Sequence, residues 1–285
     1  MCREDQLAVF AGVAPLAGLV EHVGGDRVDV RVLVSSGQDP HTFDPEPRQV
    51  LALNRAHLYF NTHLAFETRL IEKATAQAAS LRVVDVLDGV ALLPNEEHHG
   101  NHAHGEACEH AHFDLHVWLG PPQLRVLAHN VCDALVAADP AHAAVYRARL
   151  DDFLEALDAA QGRIAAKLAP YAGRRFFVYH PAFTYFASAF DLEQAAVETG
   201  GKSPTPRHVR ALVHQAIEER VNVIFVQPQF ARHAAAAVAA CIGGRVVAVD
   251  PLARDVLANL ERIAEELAAA FGAADTSRSD YVSEG

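Results

Sequence analysis

The chain has 285 residues, about half of them hydrophobic, and its 36 acidic against 24 basic residues leave a net charge of −12. That length suits two domains of ordinary size, and the acidic balance argues against nucleic acid as a partner while favouring attraction of cations. No run approaches the roughly eighteen apolar residues that span a bilayer.

Met1-Cys2-Arg3-Glu4-Asp5-Gln6 leads straight into an apolar stretch, Leu7 to Ala11, that reads as a first strand. Two explanations of that start are open: a cytosolic protein, or a mature chain whose leader has been cut. In the second, Cys2 is placed as the lipid-bearing first residue of a lipoprotein; a stray terminal cysteine is the plain alternative. Cys108, Cys132 and Cys241 show no C-x-x-C spacing, and a Cys132–Cys241 disulfide is a further expectation in an oxidising compartment.

Strands are predicted at 7–11 and 28–33 around a helix at 15–23, then helix 48–55 with Pro47 in its first turn, strand 57–60, helix 65–79 and strand 81–85. Residues 123–139 form an amphipathic helix, and Pro140 opens a second one over 141–168, about 40 Å long at 1.5 Å per residue and able to bridge two domains. From residue 175 the alternation restarts: strand 175–179, helix 182–189, strand 192–197, helix 207–220 with Thr205 as N-cap and Pro206 at N1, strand 221–226, helix 231–240, strand 245–249 and helix 254–270. The fold class is therefore α/β, two parallel-sheet domains joined by one long helix. The expected divisions are 7–120, with a histidine-rich loop at 95–113, then helices at 121–170, a second α/β domain at 171–271, and a disordered tail at 272–285.

His98, His99, His102, His104, His110 and His112 sit among Gly, Asn, Glu and Ala, as in a mobile loop able to collect metal loosely; His116 is followed by Val117 and Trp118 and enters packed structure. Ligands of open parallel sheets lie beyond the carboxyl ends of strands. His41 follows the strand at 28–33, His180 follows Arg175-Phe176-Phe177-Val178-Tyr179, and Asp250 follows Arg245-Val246-Val247-Ala248-Val249. Three imidazoles and a carboxylate suit zinc. Taken singly, each histidine is more often a surface or satisfied core residue, and Asp250 most simply caps a helix.

The segments Gly37 to Pro47 (GQDPHTFDPEP), Asp114 to Leu119 (DLHVWL), Tyr179 to Phe186 (YHPAFTYF), Val226 to Phe230 (VQPQF) and Val249 to Leu252 (VDPL) together resemble the zinc-binding, ZnuA/TroA-like solute-binding proteins of bacterial ABC metal importers. The resemblance implies a metal held in the cleft between the domains by His41, His116, His180 and Asp250, as one tight Zn2+ site, with weaker additional ions on the histidine-rich loop. It implies no catalysis, an extracytoplasmic location, periplasmic or membrane-anchored, and delivery to a permease in the inner membrane, with a zinc chaperone as a further partner and the chain itself a monomer. Relatives selective for manganese usually carry Glu where His180 stands; three nitrogens favour zinc. Many relatives have Asn-Gly after the third strand, followed by Glu, whereas here Asn61-Thr62-His63 precedes Glu67. His63 is thus an extra candidate at the metal. Glu67 is read either as structural or, with Gln227 and Gln229, as a candidate to accept the second N–H of the ligating rings.

Three other readings remain: a manganese-type receptor or adhesin of the same family, a zinc-dependent hydrolase using Asp250 as base, and a metal-storage protein. The chain contains no H-E-x-x-H and no G-x-S-x-G.

Overall fold

The computed structural model describes residues 6–35, 37–77, 80–95, 112–198, 206–219, 221, 223–230 and 232–282. Its first half runs β1 (Leu7–Ala11), α1 (Ala14–Gly24), β2 (Val28–Val32), α2 (Pro47–Leu53), β3 (Leu58–Asn61), α3 (Ala65–Gln77) and β4 (Arg82–Asp85). Two helices follow, α4 (Pro121–Ala138) and α5 (Ala143–Leu168), with a 3-10 turn at Pro140–His142 between them. The second half is β5 (Arg175–Val178), α6 (Thr184–Ala189), β6 (Glu193–Ala196), α7 (Pro206–Glu218), β7 (Val223–Val226), α8 (Arg232–Cys241), β8 (Arg245–Ala248) and α9 (Val256–Val282).

Each half is a four-stranded parallel sheet, ordered β2-β1-β3-β4 and β6-β5-β7-β8. Of the four inner strands, β3 and β7 are buried along their whole length, as continuous apolar runs must be when helices cover both faces of a sheet. In both orders the connections leave the two central strands towards opposite edges. That divergence opens a crevice at the carboxyl ends of the central strands.

The long helix α5 buries Tyr146, Leu150, Phe153, Leu157, Ala160, Ile164 and Leu168. Their spacing of three and four residues makes one stripe, which meets α1 and α4 of the first half and α9 of the second. The main core accordingly runs without a break from Val9 and Leu16 through Trp118 and Phe153 to Phe176, Phe225 and Leu260. A smaller core under Phe177, Ile224, Leu212 and Val238 fills the far face of the second sheet.

Two expectations are corrected. The tail does not begin at residue 272: α9 continues to Val282. The stretch after Phe271 holds no proline and opens Gly-Ala-Ala-Asp, and a single glycine costs a helix only about 1 kcal/mol. Cys132 and Cys241 are both free, the first buried in α4 and the second exposed at the end of α8, so they belong to different halves and do not pair. Pro206 opens α7 as expected; its proposed cap Thr205 lies outside the described residues.

Candidate metal centre

His41, His116 and His180 come together between the two sheets, each offering a ring nitrogen within 4.8 Å of the others. His41 Nε2 lies 3.1 Å from His180 Nε2. A tetrahedral zinc bonded at about 2.0–2.1 Å would set its nitrogen ligands roughly 3.3–3.4 Å apart, so the rings are already near ligand spacing.

Each ring is placed by local chemistry. His41 sits in a turn pinned by Asp39, whose Oδ1 accepts from the His41 main-chain N–H at 2.9 Å and whose Oδ2 accepts from the Thr42 hydroxyl at 3.1 Å. His116 opens the buried 3-10 turn Val117–Leu119. Asp114 Oδ1 accepts from its main-chain N–H at 2.8 Å and lies 2.7 Å from its Nδ1. His180 follows β5 at the crevice, with Glu198 Oε1 3.0 Å from its Nδ1.

With a carboxylate oxygen facing Nδ1, the proton of each buried ring belongs on Nδ1, and the Nε2 lone pair is left for the cleft. Burial would raise the pKa of Asp114, but the charge and hydrogen bond of His116 outweigh it and lower it. Burial, then the adjacent rings of His116 and His180, push His41 down to about 4, against the opposing pull of Asp39 and Asp114. At neutral pH His41 therefore need lose no proton before it binds a cation. Phe230, 5.1 Å from the His180 ring, and Trp118, 5.6 Å from the His116 ring, wall the site.

The other expected residues fall elsewhere. Asp250 is not in the three-histidine group, because its Oδ1 is held by Gln229 Nε2 at 2.8 Å and by the Leu252 N–H at 2.9 Å. Glu67 is fully buried and occupied by Tyr59, Thr62 and Leu64, with its oxygens 2.6–3.1 Å from their donors; it braces the turn before α3 and meets no imidazole of the cluster. His63, at φ 59°, turns to Asp85, 3.0 Å from its Nε2, and also stands apart. Gln227 clasps the His180 main chain, accepting from its N–H at 3.2 Å and donating to its carbonyl at 2.6 Å, so it fixes the backbone and leaves the ring alone.

The carboxylates that do face the rings, Asp114 and Glu198, were missed. Both had a signal: Asp114 stands two residues before His116, and Glu198 lies just past the carboxyl end of β6, where ligand-side groups of such sheets collect. His98, His99, His102, His104 and His110 lie outside the described residues. His112 stands at the foot of that segment, where its carbonyl accepts from Asn95 N–H at 2.9 Å and Pro94 bridges Phe113. Tyr185 ties this foot to the site, accepting from the Leu93 N–H at 3.0 Å and donating to the Asp114 carbonyl at 2.6 Å.

Comparison with known proteins gives the family and the fold. The chain is 25% identical over 265 residues to a putative metal-binding protein of Chlamydia muridarum, covering 92% of this chain and 91% of that one. It is 26% identical over 234 residues to the manganese ABC transporter substrate-binding lipoprotein PsaA of Streptococcus anginosus, covering 78% and 72%. A crystal structure of ZnuA shares the fold with a TM-score of 0.85 at 32% identity, over 93% of this chain and 99% of that one. The family model for ZnuA, zinc-uptake complex component A, periplasmic, matches residues 9–270, and the chain belongs to that family.

Proposed function

We propose that the protein is an extracytoplasmic receptor that captures one zinc ion on His41, His116, His180 and Asp250 and passes it to the permease of an ABC importer. As a member of its family the chain is a metal-binding receptor and not an enzyme. No helix among the described residues is long and apolar enough to cross a membrane, and an anchor through a lipid on Cys2 is part of the proposal.

The observation that carries this reading is the convergence of three imidazoles, two of them backed by carboxylates on Nδ1. Three nitrogen donors favour zinc over manganese, which prefers oxygen. The manganese lipoprotein PsaA is also among the relatives, but His180 offers a nitrogen here. Asp250 comes to the ion as the fourth donor, since its neighbours Gln229, Pro251 and Leu252 line the same cleft as the histidines.

The test is a zinc titration against a chelator of known affinity, on the whole chain and on a form lacking residues 98–111, which keeps the His112 foot. One tight site is expected in both, weakened in His116→Ala and His180→Ala by more than the roughly 10–100-fold that losing an outer partner of a ligand costs. Disappearance of tight binding with the loop alone would make the protein a histidine-tract buffer.

A further inference from the structure

Gln229 and Asp250 form a pair beside the histidines. Two donors, Gln229 Nε2 at 2.8 Å and the Leu252 N–H at 2.9 Å, converge on one oxygen of Asp250, Oδ1. Among the described residues no hydrogen bond reaches Oδ2. The main chain beneath is also fixed, because Asn259 Nδ2 donates to the Asp250 carbonyl at 2.8 Å. At the other end of the Gln229 amide, Oε1 is buried without a partner. A buried acceptor left unmet is costly, so the amide is oriented by Asp250 and by nothing on its oxygen side.

We propose that Gln229 is a specificity residue for the metal. Together with the Leu252 N–H it occupies both lone pairs of Oδ1, leaving Asp250 a single oxygen, Oδ2, to offer an ion seated on the three histidines. Without the Gln229 donor one lone pair of Oδ1 is free and the carboxylate can chelate through both oxygens. This inference rests on the receptor reading above. Three nitrogens and one oxygen complete the tetrahedral set that zinc takes in closed sites. Manganese favours carboxylate, carbonyl and water oxygens in octahedral sites, and a chelating Asp250 would bring the site nearer to that number. Gln229 thus acts by removing an oxygen from the available set, which penalises manganese and leaves zinc unaffected.

The test compares wild type with Gln229→Ala and with Gln229→Met, which keeps the side-chain length and loses the donor. Zinc and manganese affinities are measured in parallel, and the visible absorption of the cobalt(II)-loaded protein reports coordination number, being intense for four ligands and weak for six. Both variants are expected to narrow the zinc-over-manganese ratio by about tenfold, the scale of one hydrogen bond to a charged group. Their cobalt bands should weaken as the carboxylate chelates. An unchanged ratio with an unchanged cobalt spectrum overturns the inference, and so does an equal loss of both affinities with the spectrum intact, which would make Gln229 merely structural. Failure of the receptor reading shows separately, as a wild-type protein with no tight zinc site or a His180→Ala variant with full affinity.

Discussion

Glu198 Oε1 lies 3.0 Å from Nδ1 of His180, and both side chains are buried. The carboxylate fixes the ring's tautomer and rotation and raises its basicity as a ligand, an effect typically worth 10–100-fold in metal affinity. Glu198→Ala is therefore expected to weaken zinc binding by about that factor, while Glu198→Gln, which keeps an acceptor for Nδ1–H, recovers part of the loss. Competition against a chelator reads both, and equal affinity in Glu198→Ala and wild type would remove the carboxylate from the account. That His41, His116 and His180 come together was legible because each follows a strand or opens buried structure. Their acceptors were not, because the pairing of His180 with Glu198 spans 18 residues and depends on β5 lying beside β6. Asp250 was legible as a residue just past β8, yet its carboxylate points to Gln229, a contact no spacing in the chain announces.

The loop after β8 is clamped by elements of the first half. Trp118 Nε1 donates to the Pro251 carbonyl at 2.7 Å. Arg254 reaches Glu21 of α1 through two bonds of 2.6 and 2.8 Å. These contacts require α1 to approach closely, and Gly18 permits it: a Cβ there would lie 1.9 Å from the Arg254 carbonyl oxygen. Replacing a helical glycine with alanine ordinarily gains about 1 kcal/mol. Here the overlap is with main chain and cannot rotate away, so the strain, about 1–3 kcal/mol in overpacked sites, decides the sign. Gly18→Ala is expected to lower the urea midpoint of the metal-free protein and to weaken zinc binding, since the displaced loop carries Asp250. A stabilised variant would show that α1 and the loop slide apart freely. At this scale most elements could be read from the chain, because buried inner strands and single-stripe helices have distinct periods. The end of α9 could not, since the alanines and polar residues after Phe271 look alike in a helix and in a solvated tail.

Two domains around a cleft suggest a receptor that closes on its cargo, and relative motion is the default for domains with small polar interfaces. This molecule differs in the one respect that matters. Its main core is continuous across both halves, with the stripe of α5 packed on α1, α4 and α9. Opening the cleft by a hinge would expose part of that apolar core, at about 25 cal/mol for each Å² uncovered. The histidines meanwhile stand near ligand spacing, His41 Nε2 and His180 Nε2 being 3.1 Å apart. On the proposed reading, loading needs little more than adjustment of side chains and of the His41 turn. A permease would then, on that same reading, recognise the loaded state at the cleft rim and not through overall shape. Small-angle scattering of the metal-free and zinc-loaded protein checks this: a compact chain of this length has a radius of gyration of about 19 Å, and the two curves should superimpose. A clear contraction on loading, as hinge closure produces, would mean that the shared core yields and that the permease is offered two distinct shapes.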